Sequence, residues 1–246
     1  MTAETEKSDR VRREAETLGA LIADIRYVLF DFDGPVCRLF AGYPASDIAA
    51  DQVTWLTAQG LLSLLTAEEL RSPDPNDVLA SLAARHPDTD LILALEEHLT
   101  LRELEAARSA WPTPFADPLI RTWVATGARL AVVTNNSART VERYLTGRGL
   151  LSCFAPHLYG RTSRLHLLKP HPDTLHRALR ALGASGGSTL MIGDSSTDYL
   201  AARSAGVRFL GYASSERALL RLRNAGVQED HILRSLEPLL TAVRGR

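Results

Sequence analysis

The sequence predicts an α/β fold, a three-layer, doubly wound parallel sheet with an all-helical domain inserted after its first strand. Three observations carry this. Short apolar runs at about 27–31, 129–134, 188–192 and 207–211 alternate with stretches of helical length and period. The first three of these runs each stop abruptly in polar residues, Asp31-Phe32-Asp33-Gly34, Asn135-Asn136-Ser137 and Gly193-Asp194. Between Arg38 and about residue 111 the strand pattern disappears and helical stretches separated by Ser-Pro, Asp-Pro and His-Pro take its place.

Taken in order, residues 1–20 are polar and mixed in charge and read as a charged helix or tail. The first strand follows. Its Tyr27-Val28-Leu29-Phe30 suits a strand buried on both faces of a parallel sheet. Helical stretches are expected at 46–59, 61–70, 75–85, 91–98 and 101–110, with hinges near 37–40 and 111–115. This divides the chain into a core of 21–38 and 113–246 and a helical insertion of 39–112. After Pro118 the α/β rhythm resumes. A helix over 119–126 leads to the second strand, and Ser137 is placed to cap the helix that follows, to about Gly147. A short strand is expected within 153–159. Pro172 and Gly183 bracket a helix over 170–182. Ser196 is expected to cap a helix over 197–205. A strand at 207–211, a helix at 216–224, and an edge strand with a last helix within 232–243 complete the core.

Composition narrows the function. The chain has 246 residues, is 45% hydrophobic and 23% charged, and carries a formal net charge of −1. That balance belongs to a globular protein and gives no sign of a nucleic-acid binder. The two cysteines, Cys37 and Cys153, are too few for a zinc knuckle and favour a reducing compartment. No apolar stretch approaches the ~20 residues of a membrane helix. The N-terminus lacks the apolar core of a signal peptide. The expected location is the cytoplasm.

In a doubly wound sheet, ligands bind beyond the carboxyl ends of the strands. That edge gathers Asp31, Asp33, Thr134 and Asp194. Asp31 and Asp33 lie one pleat apart and lean the same way, Phe32 the other. Two carboxylates about 4 Å apart repel by about 4 kcal/mol at an effective dielectric of about 20. A cation, a shared proton or solvent must relieve that repulsion. Lysine is conspicuous by rarity. Of 28 basic residues only Lys7 and Lys169 are lysine, leaving 26 arginines. Lys169 precedes Pro170, and a compact ammonium fits where a guanidinium fork would not.

Four stations, DFDG at 31–34, TNNS at 134–137, Lys169-Pro170 and GDSSTD at 193–198, together resemble the haloacid dehalogenase-like superfamily, in its phosphatase branch. The ordered set covers about 25–215 and skips the insertion, which resembles the helical cap such proteins carry after the first motif. The resemblance implies a Mg²⁺-dependent phosphomonoester hydrolase acting through an aspartyl-phosphate on a small phosphorylated metabolite. It assigns the nucleophile to Asp31. Asp33 would protonate the leaving oxygen and then activate water, help typically worth ~10²–10⁴-fold. Mg²⁺ suits carboxylate and phosphate oxygens. Its expected ligands are Asp31, Asp194, the backbone carbonyl of Asp33, and Asp198 directly or through water. The family pattern places Thr134 on the phosphoryl group, and the amide of Asn135 offers a second donor. Pro35 departs from the threonine many relatives carry and removes one backbone N–H from the active loop.

Asp33 argues against carbon–halogen chemistry, and the absence of lysine between Lys7 and Lys169 removes a Schiff-base phosphonate cleaver. A sugar phosphomutase remains an alternative, as does a non-catalytic binder of phosphorylated ligands. The polar readers expected from the insertion and its entry are Arg38, Arg71, Arg85 and His86, with Arg38 first. A glycolate-type acid, a sugar phosphate and a nucleoside monophosphate fit equally well.

Overall fold

The computed structural model of the chain describes residues 3–246, and before residue 11 only the side chains of Ser8 and Asp9. Of the tail expected over 1–20, residues 1 and 2 lie outside the described residues. The rest belongs to α1 (Ala3–Ile22), which turns Ala15, Leu18 and Ile22 inward and lies against α11 (Glu237–Arg244).

The central sheet has six strands, all parallel, in the order β5-β4-β1-β6-β7-β8. They are β1 (Tyr27–Phe30), β4 (Arg129–Val133), β5 (Leu158–Tyr159), β6 (Thr189–Gly193), β7 (Arg208–Tyr212) and β8 (Ile232–Leu233). β1 runs between β4 and β6, with Phe30 level with Val132 on one side and Ile192 on the other. Alternate residues of these strands enter two separate cores. Val28, Phe30, Leu130, Val132, Leu190 and Ile192 face one, and Leu29, Ala131, Val133 and Met191 face the other. Both faces are covered by helices, so the strands read as continuous apolar runs instead of alternating ones.

One layer is made by α5 (Ala116–Ala125), α6 (Ala138–Gly147), α7 (Leu151–Phe154) and the α1–α11 pair. The other is made by α8 (Asp173–Leu182), α9 (Ser196–Ser204) and α10 (Glu216–Asn224). Together with the sheet they form the three layers the sequence predicts. The short β5 is a partial departure from expectation. Cys153 and Phe154 belong to the helical turn α7, where Phe154 meets Phe30 edge to face at 5.9 Å, and only 158–159 pair with β4.

A two-stranded antiparallel ribbon joins the insertion to the core. Its strands, β2 (Cys37–Arg38) and β3 (Trp111–Pro112), pair Cys37 with Pro112 and Arg38 with Trp111. Between them lie α2 (Ala45–Ala58), α3 (Pro75–Arg85) and α4 (Asp90–Ala106). Two differences from the sequence pattern occur here. Residues 61–70 form two short 3₁₀ turns, Leu62–Leu64 and Glu69–Arg71, instead of a helix. The two helices expected at 91–98 and 101–110 are one, because Ile92, Leu95, Leu99, Glu103 and Ala106 make a single buried stripe at helical spacing. Among the described residues no helix is long and apolar enough to cross a membrane.

Candidate active site

The carboxyl ends of β1, β4 and β6 open into a cavity of about 580 Å³. Asp31, Asp33, Thr134, Asn135, Lys169, Asp194 and Asp198 all line it. Of the residues expected at the site, the polar readers Arg38, Arg71, Arg85 and His86 are absent from the lining.

Asp31 continues β1, its N–H donating to the carbonyl of Ile192 at 2.9 Å. Phe32 turns the other way into the core and meets Tyr144 edge to face at 5.5 Å. Asp33 then stands on the same side as Asp31. The chain folds back at once, with Gly34 N–H donating to the Cys37 carbonyl and Cys37 N–H to that of Phe32. The Asp33 carboxylate accepts the N–H of Leu39 at 2.7 Å, which ties it to the entry of the insertion. Gly34 has φ +121°, and a Cβ there would sit 2.5 Å from the Asp194 carboxyl carbon. Glycine is therefore required twice over, by conformation and by the carboxylate packed on it.

Asp31, Asp194 and Asp198 each present a carboxylate oxygen within 4.8 Å of the other two. Lys169 lies among them. Its ammonium donates to Asp31 Oδ1 at 2.7 Å, Asp198 Oδ1 at 2.5 Å and the Val133 carbonyl at 3.0 Å. The peptide bond that follows it, Lys169–Pro170, is cis. Three acids, Asp31 and Asp198 buried and Asp194 partly so, against one ammonium leave an excess of negative charge. Burial and the neighbouring carboxylates push Asp194 well up, and Asp31 is raised to about 6 by burial and by Asp198, against the pull of Lys169. Burial disfavours the Lys169 ammonium too, but Asp198 and Asp31 outweigh it and hold its pKa above the ordinary value. Hard oxygen donors carrying surplus charge fit a divalent cation such as Mg²⁺. Asp33 is raised to about 7, first by burial, then by Asp31, Glu103 and Asp74, with the Leu39 N–H opposing.

Asp198 is fully engaged by the protein. Besides Lys169, it accepts the N–H groups of Asp194 and Ser195 on Oδ2, both at 3.1 Å. Ser195, one residue before the cap expected at Ser196, closes the reciprocal capping box by accepting Asp198 N–H. Asn135 behaves similarly. Its side-chain amide grips the backbone of Lys169, donating to the carbonyl at 3.0 Å and accepting the N–H at 2.8 Å. The Thr134 hydroxyl donates to Asn136 Oδ1 at 3.1 Å and accepts Asn136 N–H.

The expected readers from the insertion and its entry are elsewhere. Arg38 is exposed and lies over the Trp111 ring at 5.5 Å, because the β2–β3 ribbon aims it away from the cavity. Arg85 is held by Glu69 at 2.6 Å and the Leu64 carbonyl at 2.8 Å. Arg71 and His86 do not reach the lining. The insertion instead supplies Asp74, Asn76 and Asp77, from the start of α3. Sequence reasoning read Asp74-Pro75 only as a helix break.

A buried polar network was also missed. Arg161 donates to Glu103 at 2.8 Å, Glu96 at 3.0 Å, the Thr100 hydroxyl at 3.1 Å and the Asn135 carbonyl at 3.0 Å. Glu103 in turn accepts the Ser137 N–H at 2.8 Å and the Asn136 amide at 3.1 Å. The N-terminus of α6 is thus satisfied by an acid from the insertion and not by the Ser137 hydroxyl.

Comparison with known proteins agrees with this geometry. A family profile described as haloacid dehalogenase-like hydrolase matches residues 75–212. A phosphoglycolate phosphatase of Colwellia psychrerythraea is 40% identical over 87 residues, covering 35% of this chain and 38% of that protein. The pyrophosphatase PpaX of Halalkalibacterium halodurans is 34% identical over 119 residues, 48% of this chain and 53% of that one. The matched stretches therefore span about half or less of these relatives. Among solved structures, CbbY from Rhodobacter sphaeroides, in complex with phosphate, aligns over 99% of its length and 89% of this chain, at TM-score 0.62 and 21% identity. The L-2-haloacid dehalogenase of Xanthobacter autotrophicus aligns over 99% of its length and 90% of this chain, at TM-score 0.57 and 17% identity. At those identities the two structures establish a shared fold.

Proposed function

The chain belongs to the haloacid dehalogenase-like hydrolase family, and from that premise we propose that it is a Mg²⁺-dependent phosphomonoester hydrolase working through an aspartyl-phosphate on Asp31. The observation that carries the reading is the convergence of Asp31, Asp194 and Asp198 within 4.8 Å, with the Lys169 ammonium between Asp31 and Asp198.

Asp31 and Asp194 would hold the divalent cation, which when bound neutralises the charge that otherwise keeps a carboxylate from a phosphate dianion. Asp198, with Lys169 on one oxygen and two N–H groups on the other, serves by fixing Lys169 and the 194–195 turn. A carboxylate oxygen of Asp31 attacks phosphorus in line as the ester P–O bond breaks. Asp33, with its pKa raised to about 7, gives its proton to the departing alkoxide. A water deprotonated by Asp33 then attacks the phosphorus, the Asp31–phosphorus bond breaks, and phosphate leaves. Lys169 sits against the Asp31 carboxylate and balances charge on the phosphoryl oxygens as they approach. Thr134 reads one of those oxygens when its hydroxyl turns from Asn136. The helical insertion serves as the cap over the cavity and carries the groups that meet the leaving alcohol.

The test is a panel of phosphomonoesters with and without Mg²⁺, alongside the Asp31→Asn variant. Acid-quenched wild-type enzyme is expected to carry a hydroxylamine-sensitive phosphate label that Asp31→Asn lacks. Turnover by Asp31→Asn at the wild-type rate would overturn the reading.

A further inference from the structure

Resting on the phosphatase reading, we infer that the leaving group of the substrate is uncharged or cationic, an amino or polyhydroxy alcohol and not a carboxylate, because Asp74 and Asp77 from the insertion line the cavity that holds Asp31 and Asp33.

The charges in the cavity lead there. Asp31, Asp194 and Asp198 are balanced by Lys169 and one divalent cation. Asp33 is uncharged while it holds the proton it will donate. What remains is the phosphoryl group, Arg221 of α10, and the two acids at the start of α3. One arginine does not offset two carboxylates and a phosphate dianion. The insertion adds no basic side chain to the lining; it gives Asp74, Asn76, Asp77 and Ala80.

These acids are held in place. Asp74 caps α3, its Oδ1 accepting Asn76 N–H at 2.9 Å. Asp77 accepts the Ser72 hydroxyl at 3.4 Å. Asn76 turns its amide oxygen to the buried Arg161 at 3.3 Å, which fixes this turn against the core. Both residues are exposed and neither carboxylate has a basic partner among the described residues, so they present acceptors to an incoming hydroxyl or ammonium. A carboxylate on the substrate would meet like charge, a common device of discrimination.

Three esters of nearly equal size test this: 2-phosphoglycolate, 2-hydroxyethyl phosphate and O-phosphoethanolamine, with p-nitrophenyl phosphate as a general probe. The full chain with Mg²⁺ is expected to favour phosphoethanolamine over phosphoglycolate by about tenfold or more in kcat/KM, which corresponds to about 1.4 kcal/mol. The Asp74→Asn/Asp77→Asn variant, in which asparagine keeps the helix cap, is expected to shrink that ratio about tenfold. Added salt is expected to shrink it in wild type. Turnover that favours phosphoglycolate, or a ratio the double variant leaves unchanged, overturns the inference and leaves the phosphatase reading standing. No turnover of any of the four esters overturns both.

Discussion

Arg161 Nη1 and Glu103 Oε1 lie 2.8 Å apart with neither side chain exposed to solvent. The pair joins α4 of the insertion to the loop that bears Thr134 and Asn135. Removing Arg161 strands the buried Glu103 carboxylate, and removing Glu103 leaves Arg161 only the partly exposed Glu96; breaking such a buried pair costs about 3–5 kcal/mol. Glu103→Ala and Arg161→Met are each expected to lower unfolding free energy by about that amount in urea titrations. The double variant Glu103→Leu/Arg161→Met is expected to be more stable than either single variant, since no fully buried charge remains and the Glu96 left behind is partly exposed. Single variants within about 1 kcal/mol of wild type would remove the pair from the account of stability.

Lys169 makes a second case in which size decides. Its ammonium reaches Asp31, Asp198 and the Val133 carbonyl from a space with almost no exposure. A guanidinium keeps the charge but needs a broader, planar site. Lys169→Met is expected to reduce kcat by about 100-fold or more, in line with the loss of a preorganised donor at a reacting group. Lys169→Arg is expected to recover little of it. Steady-state kinetics decides, and an arginine variant near wild-type rate would show that charge alone is needed there.

The sheet edge was legible because one physical rule covers it. A buried strand that ends in acids must put them somewhere tolerable, and β1 and β6 both do so at their carboxyl ends. Lys169 was legible through composition, as the single lysine in an arginine-rich core. Asp74 and Asp77 were not, because an acid at a helix start has an ordinary capping role. Nothing in the sequence says that this helix start faces a cavity. Arg161 and Glu103 were not legible either, being 58 residues apart and meaningful only once α4 crosses the 134–137 loop. Arg38 is close to the active loop in sequence, but the two-residue ribbon stacks it on Trp111, outside the cavity lining.

Glu69 gives the insertion a pH signature of its own. The Arg85 guanidinium holds its carboxyl down at about 2, with help from the Thr66 N–H and hydroxyl and against the effect of burial. The folded pKa lies below the unfolded one, so the stabilisation is fully present above the unfolded value near 4.5 and is lost as pH falls toward 2. Arg85 is partly open to solvent, which reduces the effect to about 2 kcal/mol. Glu69→Gln is expected to be less stable than wild type by about that amount at pH 7 and equal to it near pH 2. Denaturation across that range checks it; a gap that widens in acid would contradict the sign.

Gly34 and Asp194 lead to a prediction about the cation that does not depend on turnover. Bound Mg²⁺ stabilises only the folded chain, so at about 100 times its Kd it raises unfolding free energy by about 2.7 kcal/mol. Wild type is expected to show an upward, concentration-dependent shift in Tm that EDTA reverses. Asp194→Asn is expected to lose most of that shift with the loss of a ligand charge. Gly34→Ala is expected to lose it too, for a steric reason. Its Cβ would lie 2.5 Å from the Asp194 carboxyl carbon, in a backbone conformation with φ +121° that alanine rarely adopts. The Asp194 carboxylate must then shift from the position in which it faces Asp31. If Gly34→Ala keeps the full Mg²⁺ response, the approach of this turn to Asp194 is not what sets the ligand geometry, and the two carboxylates find the cation without it.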